Sequence, residues 1–313
     1  MKNLFKKTVQ AVQDWSVVLG ISIVCHSIPF LPLKVSYRFA NGLATILVPL
    51  FKKRLRSIYG NLEVAFGPHM PDEDKREIAL KMGADMLKGI FDCAYLTSSF
   101  RSKADVIATI EGKHHLDEAL SRGKGVIAFS AHFGSFIILG SFMARENYPF
   151  YMLLNDPGNK PLARQFDKIR EATGQQWISA TPFRQCHKKM LNCLRKNEII
   201  CFIADENKRR GGVEVDFFGH KTPTAVGPAV LSLQTGAALV PIFIVRQKDN
   251  THKIIIEPAL ECNLSGNKSE DIHTLTSAFT KRIEFNIREY PDQWLWTNRR
   301  WKGLSRGDKH YQG

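Results

Sequence analysis

The sequence predicts an α/β fold, a mostly parallel central sheet flanked by helices, preceded by an amino-terminal helical segment associated with a membrane. Three observations predict it. Short apolar runs alternate with helical stretches from about residue 125 onward. The region 57–100 carries helical periodicity without strand signals. The first 56 residues hold two apolar stretches bordered by Lys and Arg. The 313-residue chain therefore divides into an amino-terminal anchor, 1–56, and an α/β domain, 57–313.

Taken in order, Lys2, Lys6 and Lys7 precede a run from Trp15 to Leu33. That run is close to the roughly 20 apolar residues a spanning helix needs, although His26, Ser27, Pro29 and Pro32 interrupt it. No small-residue cleavage site follows, so it does not read as a cleaved signal. A second apolar stretch, 39–51, leads into Lys52-Lys53-Arg54-Leu55-Arg56. Such flanks suit an anionic lipid surface, where each basic residue contributes about 1 kcal/mol. The reading is a single span or a hairpin-like insertion; its rival is a buried amino-terminal helix of the core. Pro71-Asp72-Glu73-Asp74 then starts a helix with acids in its first turn, and Ala79, Met82, Met86, Ile90 and Ala94 recur at helical spacing. Strands are expected at 125–130, 150–155, 176–179, 198–204, 213–217, 239–245 and 253–257. Helices are expected near 136–146, 160–173, 183–195, 225–235 and 269–289. In such sheets the ligand crevice lies beyond the carboxyl ends of the strands.

Composition narrows the function classes. There are 44 Lys+Arg against 30 Asp+Glu, a net charge of +14, which calls for an anionic partner: nucleic acid, an anionic membrane or a phosphorylated substrate. The 44% hydrophobic content with no short repeat excludes disordered, collagen-like, coiled-coil and mucin-like chains. A polytopic membrane protein is excluded because one segment alone is apolar enough to matter. Cys25, Cys93, Cys186, Cys193, Cys201 and Cys262 include no closely spaced pair, which points to a reducing compartment and away from a zinc knuckle. His114-His115 have no second cluster with which to hold a metal, so no metal site is expected. Walker A, G-x-G-x-x-G and H-E-x-x-H motifs are absent.

The strand-end rule directs attention to two places. After 125–130 comes Ala131-His132-Phe133-Gly134-Ser135; after 198–204 comes Asp205-Glu206, followed by Lys208, Arg209 and Arg210. A His and a carboxylate at neighbouring strand ends suit general-base catalysis, the imidazole taking a proton from a hydroxyl while the acid holds its ring. Ser135 is a tempting nucleophile, but no G-x-S-x-G elbow surrounds it. Arg170 and the basic loop 208–210 are candidates for holding phosphate, and Phe217-Phe218-Gly219 for an apolar wall and turn. Arg299, Arg300 and Lys302, interleaved with Trp294, Trp296 and Trp301, read as an aromatic belt at a membrane interface or an acceptor-phosphate site; a nucleic-acid stacking platform is the weaker alternative.

These strings together resemble the bacterial lipid A biosynthesis acyltransferases, the lauroyl/myristoyl group of the lysophospholipid acyltransferase superfamily. Ala131-His132-Phe133-Gly134-Ser135 is similar to the superfamily signature. Asn61-Leu-Glu-Val-Ala-Phe66, Arg170-Glu-Ala-Thr-Gly174, Ala204-Asp205-Glu206, Val215-Asp-Phe-Phe-Gly219, Thr224-Ala-Val-Gly227-Pro228, Thr235-Gly236 and Pro291-Asp-Gln-Trp-Leu-Trp-Thr-Asn-Arg-Arg-Trp-Lys302 follow in the family's order. The resemblance implies a glycerolipid acyltransferase-like fold and transfer of a fatty acyl group, without a cofactor. The donor would be acyl carrier protein or acyl-CoA. The acceptor would be a hydroxyl of an anionic glycolipid such as a lipid A precursor, at the cytoplasmic face of the inner membrane, with no nucleic-acid partner. It implies His132 as the base, and Arg170, Lys208, Arg209, Arg210, Phe218, Gly219, Arg299 and Arg300 at the substrates, the basic loop 208–210 suiting phosphate or carrier-protein capture. The chain departs from the family at Tyr59-Gly60, where an Arg usually precedes Asn61, and at Glu206, where the family usually reads Gln; the serious departure is that the acid expected five residues after His132 is Ile137. Three explanations remain open. Asp205 or Glu206 supplies the carboxylate; the enzyme works on His132 and proximity alone; or the chain is a catalytically silent homologue that holds lipid or scaffolds a lipid-synthesis complex.

Overall fold

Two prolines organise the start of the chain. The computed structural model describes residues 19–20, 22–99, 106–155, 160–208 and 210–302. A 3₁₀ turn, Ile28–Phe30, contains Pro29, and Pro32 caps the helix that follows, α1 (Leu33–Leu50). Both interrupt the apolar run that was expected to span a membrane, because proline cannot donate into a continuing helix. No helix among the described residues is long and apolar enough to cross a membrane, so the spanning segment expected over 15–33 is not supported; its first residues, with Lys2, Lys6 and Lys7, lie outside the described residues. Instead α1 is two-faced. Tyr37, Ala40 and Ala44 are buried, while Val35, Phe39, Ile46 and Leu50 face outward.

The next helix, α2 (Lys52–Phe66), runs unbroken through residues 56 and 57. Helix α3 (Asp72–Thr97) starts with Asp72, Glu73 and Asp74, acids that offset the positive end of the helix dipole, and α1 packs along it.

The remainder alternates strand and helix: β1 (Ala108–Glu111), α4 (Lys113–Ser121), β2 (Val126–Ser130), α5 (Leu139–Arg145), β3 (Phe150–Leu154), α6 (Lys160–Thr173), β4 (Gln176–Ser179), α7 (Phe183–Arg195), β5 (Ile199–Ile203), β6 (Gly212–Phe217), β7 (His220–Ala225), α8 (Gly227–Thr235), β8 (Ala238–Arg246), β9 (His252–Ile256) and α9 (Lys268–Glu289). Seven strands form one sheet in the order β1-β9-β8-β2-β5-β3-β4. From β8 to β4 every pairing is parallel. β9 returns antiparallel on β8 and carries β1 with it. All five residues of β2 are buried, as befits a central strand covered on both faces. Ile127 and Phe129 point into a core shared with α2, α7 and α9, whereas Val126 and Ala128 point into a second core shared with α1, α3 and α5.

The strand expected at 213–217 is β6, but it does not belong to this sheet. It forms a separate antiparallel hairpin with β7. The turn is Phe218-Gly219, both at positive φ (56° and 76°), the two-residue geometry that joins tightly paired strands. β1 is an edge strand of alternating burial, and β7, His-Lys-Thr-Pro-Thr-Ala, is polar. Neither carries the apolar run by which the other strands are legible.

Candidate active site

Parallel pairing of β2 with β5 sets Ser130 opposite Ile203. Two residues further along each chain, His132 and Asp205 therefore come side by side. The imidazole Nδ1 lies 2.8 Å from Asp205 Oδ1, and the backbone N–H of His132 donates to Oδ2 at 3.0 Å. The same Oδ2 accepts the indole N–H of Trp294 at 2.7 Å and the Asn298 amide at 3.2 Å. The Asp205 side chain is 0% exposed and that of His132 21%. Among the described residues Nε2 of His132 has no protein partner, and the ring stands edge-on to Phe136 with centroids 5.0 Å apart.

Burial by itself pushes the Asp205 carboxyl up. The charge of His132 and the hydrogen bonds from its ring, Trp294 and the backbone outweigh burial and hold it below the usual carboxylate range. For His132 burial pulls down, but the charge and hydrogen bond of Asp205, with the charge of Glu206 behind, raise it above an ordinary imidazole. A carboxylate facing Nδ1 fixes the proton there and leaves Nε2 as the basic atom.

The chain end closes the site. Leu295 N–H donates to the His132 carbonyl at 2.9 Å, and Gly134 N–H to the Gln293 carbonyl at 2.8 Å. Asn61 of α2 donates to the carbonyls of Trp296 and Asn298 at 2.7 and 2.9 Å, so it ties down the segment that holds Asp205. Gly134 has φ +52°, and a Cβ there would lie 2.1 Å from the Ile244 carbonyl oxygen; no other residue fits. Ser135 is not poised as a nucleophile. It is buried, and its Oγ accepts Arg246 Nη2 at 2.9 Å. The same Arg246 nitrogen donates to buried Asp92 at 2.6 Å, and Asp92 also accepts from Tyr37 of α1 and lies 3.1 Å from His252 Nε2.

The remaining expected residues separate into three groups. Glu206 is exposed and makes no hydrogen bond to the imidazole among the described residues. Lys208, Arg210 and Arg299 are exposed close in sequence to Asp205 and Asn298; Arg209 lies outside the described residues. Arg300 is displaced from the role expected of it. It is 1% exposed, its guanidinium donates to the Glu206 and Pro223 carbonyls and to Thr224 Oγ1, and burial lowers its pKa to about 10. It clamps the β6–β7 hairpin to the Asp205 loop and has no face left for phosphate. Phe218 is buried in the turn against Phe66 and Trp301, and Gly219 completes that turn, so neither offers an open wall. Trp294, Trp296 and Trp301 are buried as well. They stack with Phe217 into a wedge behind Asp205, not an aromatic belt facing lipid.

Beside Phe136 opens an apolar cavity of about 230 Å³ lined by Ile137, Met152, Leu154, Ile169 and Arg170. Ile137, at the position of the missing acid, is thus part of its wall. Arg170 lies over the Trp177 ring and pairs with Asp167 at 3.0 Å. No cluster able to hold a metal occurs among the described residues, and the rings of His114 and His115 pack on each other at 3.9 Å. Trp294, Asn298 and Asn61 are the site residues that sequence reasoning missed. All three lie inside the motif strings quoted above, which was their one available signal.

The family model for bacterial lipid A biosynthesis acyltransferase matches residues 2–303. The chain is 24% identical to the lipid A biosynthesis lauroyltransferase of Escherichia coli over 94% of this chain and 93% of that protein. It is 25% identical to the palmitoleoyltransferase of the same organism over 87% and 86%. It is 30% identical to the phosphatidylinositol mannoside acyltransferase of Mycobacterium tuberculosis over 61% of this chain, and it spans only 59% of that relative's length. By the match of nearly its whole length, the chain belongs to the bacterial lipid A biosynthesis acyltransferase family.

Proposed function

We propose that the chain is a membrane-associated O-acyltransferase that moves a fatty acyl group from an acyl thioester, on acyl carrier protein or coenzyme A, to a hydroxyl of an anionic glycolipid such as a lipid A precursor. The observation that carries the reading is the 2.8 Å contact of His132 Nδ1 with a fully buried Asp205, with no partner on Nε2 among the described residues and with the ring against Phe136, which lines an apolar cavity. His132 Nε2 takes the proton of the acceptor hydroxyl as its oxygen attacks the thioester carbonyl carbon. The new C–O bond forms, the C–S bond breaks, and the imidazolium returns its proton to the leaving thiolate. Asp205 keeps the ring in the reactive tautomer and stabilises its protonated form.

The cavity at Phe136 and Ile137 suits the acyl chain. Lys208, Arg210 and Arg299 suit the acceptor's phosphates, as charge-assisted contacts do. The outward residues Val35, Phe39, Ile46 and Leu50 of α1, bordered by exposed Lys34, Arg38, Lys52 and Lys53, suit an interfacial helix lying about 5–10 Å into an anionic leaflet, at the cytoplasmic face of the inner membrane. The rival reading, a silent lipid-holding homologue, predicts that His132 faces only apolar or solvent groups, and the bond to Asp205 weighs against it.

The test is an acyl-transfer assay on His132→Ala, Asp205→Asn and Glu206→Gln. The first two lose turnover and the third, whose side chain stays off the imidazole, keeps it. Full activity in His132→Ala ends the reading. Mass spectrometry of total lipids with and without the gene identifies acceptor and acyl length together, as one acyl-sized mass difference.

A further inference from the structure

We propose that the exposed basic face of α7, with Phe183 at its tip, is the docking surface for an acidic protein that carries the acyl chain as a thioester. The inference rests on the acyl-transfer reading above and adds a place to it. From 175 to 197 the sequence contains Arg184, Lys188, Lys189, Arg195 and Lys196 and no Asp or Glu. All five are exposed, and among the described residues none has an ion-pair partner. The helix buries Cys186, Met190, Cys193 and Leu194. At 3.6 residues per turn Arg184, Lys188 and Arg195 then line up as one outward stripe, with Lys189 and Lys196 beside it. Like charges four residues apart on a helix repel, so Arg184 and Lys188 cost stability in the free protein and gain it against an acidic partner. Phe183 is 73% exposed and stacks on His187, which adds an apolar anchor to the charge.

Topology puts the surface at the right rim. β4 is parallel to β3, and through β5 to β2. The helix starts four residues beyond the end of β4, so Phe183 and Arg184 lie at the end of the sheet that carries His132. The chemistry of the stripe favours a soluble partner over a lipid bilayer. Its exposed side chains are cations with one aromatic, Phe183, whereas the outward face of α1 carries Val35, Phe39, Ile46 and Leu50, the apolar area that an interfacial helix buries. α1 packs along α3, with Ala40 on one core and Val48 on the other, and it is α1, not α7, that offers a face for lipid.

The experiment uses the full chain and its triple variant R184E/K188E/K189E with two donors, the acyl group on acyl carrier protein and the same acyl group on coenzyme A. The expected result is a fall in kcat/KM of roughly tenfold or more with the carrier, chiefly through KM and erased at high salt, and no change with coenzyme A. An unchanged carrier reaction, or an equal loss with both donors, overturns the proposal. Pelleting with vesicles containing anionic phospholipid separates the alternative: equal pelleting of both proteins supports carrier docking, and selective loss by the variant makes the stripe a membrane contact and overturns it. If neither donor reacts with the native chain, the acyl-transfer reading fails by itself. Fluorescence anisotropy of labelled acyl carrier protein then decides the surface: binding to the native chain that the variant lacks supports it, and no binding to the native chain overturns it.

Discussion

A histidine works as a base only if its ring is held, its proton is on the far nitrogen and its charge is compensated on protonation. Asp205 meets all three needs, because one carboxylate takes both the ring and the backbone N–H of His132. Asp205→Asn keeps the shape but removes the charge and presents an amide that no longer enforces the tautomer. A loss on the order of 10⁴ in turnover is expected, measured as kcat in the transfer assay with the fold checked by circular dichroism. The raised pKa of His132 gives a sign for pH. As a base the imidazole must be neutral, so kcat/KM rises with pH through a midpoint above the ordinary 6.5, and Asp205→Asn moves the midpoint down. For stability the sense is opposite. The tighter-held proton of His132 stabilises the fold below the ordinary imidazole pKa, and this is lost as pH rises through the raised value. The depressed carboxyl of Asp205 stabilises above its ordinary pKa and is lost as pH falls through the lowered one. Ile137→Glu restores an acid at the family's position but sets it in the apolar cavity wall, where an ionised side chain is costly. The expected outcome is a higher KM for long-chain donors and no gain in kcat. His132 and Asp205 were legible because each ends an apolar strand. That Asp205 and not Glu206 pairs with the ring was not, since the choice depends on the register Ser130 opposite Ile203.

At the scale of elements, the site depends on a segment without regular structure. Residues 293–298 reach the His132 loop through backbone bonds and reach Asp205 through Trp294 and Asn298. Helix α2 secures them through Asn61, which donates to two of their carbonyls, and through Phe66, whose ring packs on Trp296. Asn61→Ala leaves two buried carbonyls short of a donor, a cost of about 1–3 kcal/mol, seen as a lower thermal midpoint. Because the same change frees Asn298, kcat should fall beyond what the lost stability explains, at a temperature where the variant is fully folded. The central strands were readable from their apolar runs. The β6–β7 hairpin was not, because its second strand is polar and its turn uses a phenylalanine at positive φ, which no spacing rule announces. The three tryptophans misled for a related reason: interleaving with Arg looks the same in sequence whether the rings face lipid, nucleotides or each other.

For the whole molecule, the charge surplus divides among surfaces that composition cannot separate. Outward apolar residues of α1 lie near Lys52 and Lys53, cations at the hairpin mouth sit close in sequence to Asp205, and a third group lies on α7. Ile46→Asp with Leu50→Asp removes apolar contact area without touching the buried residues of α1 or the contact of Phe39 with Phe91. Pelleting with anionic vesicles should fall several-fold while the thermal midpoint holds, and the residual binding should be salt-sensitive. The spanning segment expected over 15–33 finds no support among the described residues; Pro29 and Pro32, which interrupt the run, were visible in the sequence, whereas the burial of Tyr37, Ala40 and Ala44 on α1 was not.

The closing segment also sets a timetable for synthesis. His132 emerges early and Asp205 later, but the groups that fix the carboxylate are at 294 and 298. A nascent chain that has folded its sheet but not received these residues lacks the indole and amide that hold Asp205 and the backbone bond that anchors His132. Activity therefore depends on residues 294–298 reaching the folded sheet. A chain truncated before residue 294 is expected to be inert in the transfer assay above.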